Sequence, residues 1–354
     1  MSNRMLLKWR PHLLHRSFTS IPAIFEKHGN VGKILLNRPD ALNAYNDSMV
    51  ELIISQLYAF EKDDEIKLVL IEAAGNRAFC AGGDIVHLGD IHRENQMHHK
   101  IKMLKKPVVS IGDRIVMGGG MGLCCNSKYR MGTERSVFAM PETRIGYYPD
   151  AGATFFLSRL GDLGMYLALT GHRIQGFDAV YTDFVTHYVN SENLSLLKID
   201  ILGCSSEDDL MGCLLKYENP NNYEEFSLTK NLLDISKCFS GSSMLEIKDR
   251  LVETNNEFSK STLATLALMS PLALCITHKT QLLSRSLSFT ECLRMECGIS
   301  DRTYALGEFK EGVRALLIEK DLLPQWNPPT LEQVDHAVVE YCFSDGKHQW
   351  QPLP

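Results

Sequence analysis

Two carboxylates and two glycine-rich loops are the residues of this chain whose types and spacing can do chemistry. Glu142 and Asp150 lie in Phe138-Ala-Met-Pro-Glu142-Thr-Arg-Ile-Gly-Tyr-Tyr-Pro-Asp150-Ala-Gly152, a largely apolar, proline-bounded stretch. Burial there penalises the charged form, so such a carboxyl suits general base, general acid or nucleophile duty near neutral pH. On local sequence alone, Asp150 reads better as the N-cap of a helix opening before Phe155-Phe156-Leu157. The glycine loops are Ala81-Gly82-Gly83-Asp84 and Gly118-Gly119-Gly120. Glycine lets backbone N–H groups approach a ligand, and the first N–H groups of a helix are unpaired and partially positive. Together the loops can form an oxyanion hole for a carbonyl gaining charge, one donor being worth about 3 to 4 kcal/mol of barrier. Taken singly, each cluster reads as a tight turn.

Other chemistries lack their signatures. Neither loop fits the dinucleotide or triphosphate pattern, and no Gly-x-Ser-x-Gly elbow occurs. None of the twelve histidines has His-Glu-x-x-His spacing, and the adjacent His98-His99 cannot face one metal from one side of a helix. The ten cysteines are scattered without zinc-site spacing, which predicts reduced thiols in an intracellular compartment and no metal centre.

The elements that must position these residues alternate. A strand is predicted through Val31 to Leu36, ending at Arg38-Pro39. A helix capped by Asp47 or Ser48 follows, with Met49, Leu52, Ile53, Leu57 and Phe60 on its apolar face. Strands at Lys67 to Glu72 and Pro107 to Ile111 come next, the second leading to the glycine triplet and a helix start. This is an α/β pattern with ligand-facing loops. Beyond about Ser261 the sequence turns helical, which places a change of domain near residue 260, whereas 190–260 shows too little pattern to assign.

With 354 residues, 44% of them hydrophobic, the chain can bury one substantial core and a smaller second unit. A net charge of -6 and a pI near 6.1 argue against a nucleic-acid partner. No stretch approaches the roughly 20 apolar residues that cross a bilayer, so no membrane partner is expected. Residues 1–20 carry Arg4, Lys8, Arg10 and Arg16 with Ser17, Thr19 and Ser20, and no acid precedes Glu26. That composition predicts a mitochondrial transit peptide.

In order along the chain, Ile34-Leu-Leu-Asn37-Arg38-Pro39-Asp-Ala41-Leu-Asn43-Ala44, Ala78-Phe-Cys-Ala81-Gly82-Gly83-Asp84-Ile85, Met117-Gly118-Gly119-Gly120 and Met140-Pro141-Glu142 resemble the successive signatures of the crotonase superfamily. The stretch Phe138 to Asp150, Gly122 and Phe309-Lys-Glu311-Gly312-Val-Arg314 single out its 3-hydroxyisobutyryl-CoA hydrolase branch. The resemblance implies a crotonase-type spiral of ββα units: a core at 21–260 that binds acyl-CoA, then a helical region at 261–354. It further implies backbone donors at Gly83 and Gly119, catalytic carboxylates at Glu142 and Asp150, and a substrate-binding acid at Glu94. Ala41, Ala81 and Asp84 fall in the loops that hold the coenzyme's adenine and pantetheine arm.

The implied reaction is hydrolysis of 3-hydroxyisobutyryl-CoA, and of 3-hydroxypropionyl-CoA, to the free acid and CoA in valine breakdown in the mitochondrial matrix. The family's subunits usually associate, and the reaction uses no cofactor, CoA being part of the substrate. Hydratases of the superfamily carry a second glutamate two residues after the triplet, where this chain has Gly122. An enoyl-CoA hydratase or isomerase is therefore disfavoured. A non-catalytic paralogue, such as a subunit of the mitochondrial ribosome, is the reading from another class. The chain departs from the hydrolase pattern in a short Ile85 to Glu94 segment and in Ala153-Thr154 after Asp150. Arg144, Tyr147 and Tyr148 read as rim residues, or as bulk added to the acyl pocket.

Overall fold

The computed structural model describes residues 21–85, 91–218, 224–344 and 350–353. The transit-peptide expectation for 1–20, and residues 86–90 of the short segment before Glu94, lie outside the described residues.

Ten strands are described: β1 (Ala23–His28), β2 (Val31–Leu36), β3 (Leu68–Ala73), β4 (Ala78–Cys80), β5 (Val108–Ile111), β6 (Ile115–Met117), β7 (Tyr129–Gly132), β8 (Val137–Ala139), β9 (Ile174–Gln175) and β10 (His187–Tyr188). They form a six-stranded sheet ordered β1-β2-β3-β5-β7-β10 and a four-stranded sheet ordered β4-β6-β8-β9. Within the first sheet only β1 runs antiparallel, and within the second only β9 does. Consecutive strands β3/β4, β5/β6 and β7/β8 therefore part company, one to each sheet, and each pair leads into a helix. That is a spiral of ββα turns. Strands of the larger sheet are apolar on both faces, as Leu68 through Ile71 show, because a parallel sheet is covered on both sides.

The helices of the spiral are α1 (Asp47–Lys62), α2 (Ile91–Met103), α3 (Gly119–Cys125), α4 (Ala153–Ser158), α5 (Asp162–Thr170) and α6 (Asp178–Tyr181). The cap of α1 is Asn46, whose side chain accepts from Met49 N–H, so neither Asp47 nor Ser48 caps it. Leu52 faces outward at 40% exposure, and Val50 and Ile54 complete the buried stripe in its place.

After β10 every described element is helical: α7 (Leu194–Leu202), α8 (Glu207–Tyr217), α9 (Leu232–Phe239), α10 (Met244–Thr254), α11 (Glu257–Leu266), α12 (Pro271–Ser284), α13 (Phe289–Ala305), α14 (Glu308–Val313) and α15 (His336–Phe343), with short 3-10 and π turns between. Helix thus begins near residue 190, ahead of Ser261. The pattern in 190–260 is blurred because α7 leaves Leu196 and Ile199 in solvent while burying Leu194, Leu197 and Ile201. One apolar cluster runs from Ala23 to Leu274 across residue 260. Among the described residues no single helix is long and apolar enough to cross a membrane.

Candidate active site

Strands β4, β6 and β8 are parallel neighbours in the smaller sheet, with Ala78 opposite Ile115 and Met117 opposite Ala139. The loops that leave their C-terminal ends therefore emerge side by side: Ala81 to Asp84 after β4, the glycine triplet after β6, and Met140-Pro141-Glu142 after β8. Ligand sites of parallel sheets gather at this end for the same topological reason.

The first two loops pack glycine against glycine. A Cβ on Gly82, at φ +105°, would lie 3.3 Å from Gly119 N and 3.5 Å from Gly118 Cα. Neither Gly83 N–H nor Gly119 N–H is spent on an acceptor among the described residues. The Ala41 loop is tied to the same place by Ala81 N–H to Leu42 O (3.1 Å), Tyr45 N–H to Gly82 O (3.0 Å) and Asp84 N–H to Tyr45 O (2.8 Å). Arg38 pairs with Asp84 at 2.7 Å. Ala41, Ala81, Gly83 and Asp84 thus share one partly exposed rim.

The carboxylates lie beneath that rim. Glu142 opens a 3-10 turn, Glu142–Ile145, and its Oε1 would stand 2.9 Å from a Cβ on Gly118. Its Oε2 is buried with no hydrogen-bond partner, an arrangement that costs stability unless a ligand uses it. Burial, with Glu94 nearby, pushes its carboxyl up to about 8. Glu94, in the first turn of α2, accepts from the Tyr45 hydroxyl and lies 3.4 Å from His98 Nε2 one helical turn on. Tyr45 and Glu94 close on Gly119, where an added Cβ would fall 1.6 Å and 2.6 Å from their oxygens. Asp150 is driven well above the usual carboxylate range by burial, then by the charges of Glu94, Glu296 and Glu142.

Asp150 does not cap α4: the cap position is Gly152, which has no side-chain cap bond. The carboxyl is not spent on the helix start; Tyr147 hydrogen-bonds to it. Tyr147 and Tyr148 are buried and so are not rim residues; both hydroxyls meet Ser300, while Arg144 is exposed. A Cβ at Gly122 would strike His98 Cε1 at 2.5 Å and Ala151 O at 2.7 Å. The place of a second acid is therefore already filled by an imidazole and a carbonyl. Among the described residues no His, Cys, Asp and Glu group is arranged to hold a metal.

Sequence reasoning missed Tyr45, His98 as a partner of Glu94, and Glu296. The last had a visible signal: it falls in the buried stripe Phe289, Cys292, Leu293, Glu296, Ser300 and Thr303 of α13, where a carboxylate is out of place.

Residues 31–343 match the enoyl-CoA hydratase/isomerase family. The mitochondrial 3-hydroxyisobutyryl-CoA hydrolase of Xenopus laevis is 39% identical over 339 residues, covering 91% of this chain and 88% of its own length. The protein of that name from Homo sapiens is 37% identical, covering 90% and 88%. Among solved structures, a carnitinyl-CoA dehydratase from Mycobacterium thermoresistibile superposes with a TM-score of 0.87 at 31% identity, covering 94% of this chain and 99% of that one. An enoyl-CoA hydratase from Rhodobacter sphaeroides superposes at 0.84 with 34% identity, covering 91% and 97%.

Proposed function

Since the chain belongs to the enoyl-CoA hydratase/isomerase family, we propose that it hydrolyses 3-hydroxyisobutyryl-CoA, and 3-hydroxypropionyl-CoA, to the free acid and CoA. The observation that carries this reading is the unpartnered Glu142 oxygen, buried against a glycine loop whose neighbouring N–H donors are unspent. The partly exposed rim at Ala41, Ala81 and Asp84 suits the long polar coenzyme, and the buried floor suits a short acyl group.

The thioester oxygen accepts from Gly83 and Gly119 N–H, which stabilise the charge that grows there as the carbonyl is attacked. Ionised Glu142 either attacks the carbonyl carbon, giving a transient anhydride, or takes a proton from an attacking water. Asp150, whose carboxyl burial and then the neighbouring carboxylates push well above the usual carboxylate range, can donate to the departing thiolate or hold the water. Glu94, held by the Tyr45 hydroxyl beside Gly119, can accept from the substrate's 3-hydroxyl. Water and these groups suffice for the reaction without a metal or redox cofactor. The relatives' mitochondrial names and the acid-poor first twenty residues support a place in the mitochondrial matrix. Association of copies of this chain belongs to the same reading.

Two of the solved relatives are described as a hydratase and a dehydratase, which would favour water addition to an enoyl-CoA. The crowding at Gly122 counts against it, because no second acid fits where that chemistry places one.

Thiol release measured against pH tests the role of Glu142. Attack requires its ionised form, and its carboxyl sits at about 8 in the free protein. The expected kcat/KM therefore climbs with pH through about 8 on the limb set by Glu142, and falls on a second limb where Asp150 loses its proton. A profile flat from about pH 6 to 9 would remove Glu142 from that role.

A further inference from the structure

Glu296, Ser300 and Tyr304 stand at successive four-residue steps on α13 and so share one face of that helix. The Glu296 carboxylate accepts Gly152 N–H at 3.0 and 3.2 Å, Thr154 N–H at 3.4 Å and the Thr154 hydroxyl at 2.5 Å. Ser300 meets the Tyr147 hydroxyl at 2.6 Å and that of Tyr148 at 2.8 Å, and the Tyr304 ring packs on Tyr147 with centroids 5.8 Å apart. The segment gripped in this way, Tyr147 to Thr154, is the one that carries Asp150.

That segment needs an outside hold. Ala151 and Gly152 are consecutive left-handed residues at φ +56° and +85°, a conformation that strains an alanine, and α4 opens without a side-chain cap. Asn126 holds the Ala151 carbonyl at 3.2 Å, and Glu296 holds the N–H groups that follow. Glu296 is fully buried, and among the described residues no Lys or Arg pairs with it. A buried carboxylate with only neutral donors is a costly choice for packing alone.

We infer that Glu296 is a positioning residue for the proposed thioester hydrolysis, its carboxylate clamping the turn after Asp150 so that the Asp150 carboxyl is presented to the site. The inference rests on the hydrolase reading and adds a contribution from the helical C-terminal region. The charge of Glu296 also acts on Asp150, beside Glu94 from α2, Glu142 from its 3-10 turn, Tyr304 from α13, and Tyr147 and Tyr148 from Asp150's own segment.

The test uses the full chain, Glu296→Gln and Thr154→Val, with thiol release from 3-hydroxyisobutyryl-CoA followed against pH and Tm recorded for each. Glu296→Gln is expected to lower kcat about 10- to 100-fold with KM within about 3-fold, as a misplaced group does. Its pH profile is expected to move to lower pH in the limb set by Asp150, because a neighbouring negative charge is gone. Thr154→Val removes only the hydroxyl that Glu296 accepts, and is expected to lower kcat several-fold with a modest fall in Tm; it decides the matter if Glu296→Gln does not fold. Wild-type kcat and an unmoved profile in the folded variants, whatever their Tm, would reduce Glu296 to a structural role and overturn the inference. A wild-type chain that releases no thiol would sink the hydrolase reading and this inference with it.

Discussion

Glu142→Gln is expected to lower turnover of 3-hydroxyisobutyryl-CoA by roughly 10²- to 10⁴-fold, with substrate binding retained, as follows when a central base or nucleophile is lost. The side chain keeps its shape, so the loops at Gly82 and Gly118 keep their packing. The same change is expected to raise Tm. Burial lifts the Glu142 carboxyl from the ordinary 4.5 to about 8 in the folded chain, so the folded state binds the proton more tightly than the unfolded one. Stability from this residue is then complete below about pH 4.5 and is lost progressively as pH rises through about 8, where the buried charge must form. An amide escapes that loss. The gain in stability over wild type, read as Tm, is therefore expected to widen from pH 5.5 toward pH 8.5, reaching about several kcal/mol at most. Equal turnover in the two proteins would take Glu142 out of the chemistry. An equal Tm at every pH would mean that its carboxyl is not held as burial implies.

Gly119→Ala is expected to be nearly as severe, by a different route. Its Cβ would lie 1.6 Å from the Tyr45 hydroxyl and 2.6 Å from Glu94 Oε1, so backbone or both side chains must move. Overpacking of this kind costs about 1–3 kcal/mol of stability. Displacing the Gly119 N–H from the carbonyl costs about 10²- to 10³-fold in kcat. Gly212→Ala is the control: that glycine lies inside α8 with nothing within 4 Å of the added atom. It is expected to leave kcat unchanged and to stabilise slightly, since alanine is the better helix former. Wild-type kcat in Gly119→Ala would show that the Gly119 donor is not used.

The order of the loops along the chain, and the residue types within them, are legible in the amino-acid sequence. Gly83, Gly119 and the Glu142 to Asp150 stretch stand in three distinct connections, and chemical type nominates them without showing that β4, β6 and β8 are neighbours. Strand adjacency is a long-range property that spacing does not encode. Local reasoning misreads Asp150 as a cap because Asp before Ala-Gly is common at helix starts, whereas here Gly152 takes the cap position and Glu296, from a distant helix, takes the free N–H groups. Tyr147 and Tyr148 read as rim because phenols often sit at surfaces, and their buried partner Ser300 belongs to α13 as well. The helices between Leu194 and Leu266 are hidden for a simpler reason: short amphipathic pieces with exposed leucines give little periodicity.

Release of free CoA thiol from 3-hydroxyisobutyryl-CoA by the purified chain lacking residues 1–20, with hydration of crotonyl-CoA followed in parallel, tests the central claim most directly. Thiol release without hydration is the expected result, since Glu142 has its unspent backbone donors nearby and no second acid fits at Gly122. Hydration without thiol release, or no reaction with any short acyl-CoA, would contradict it.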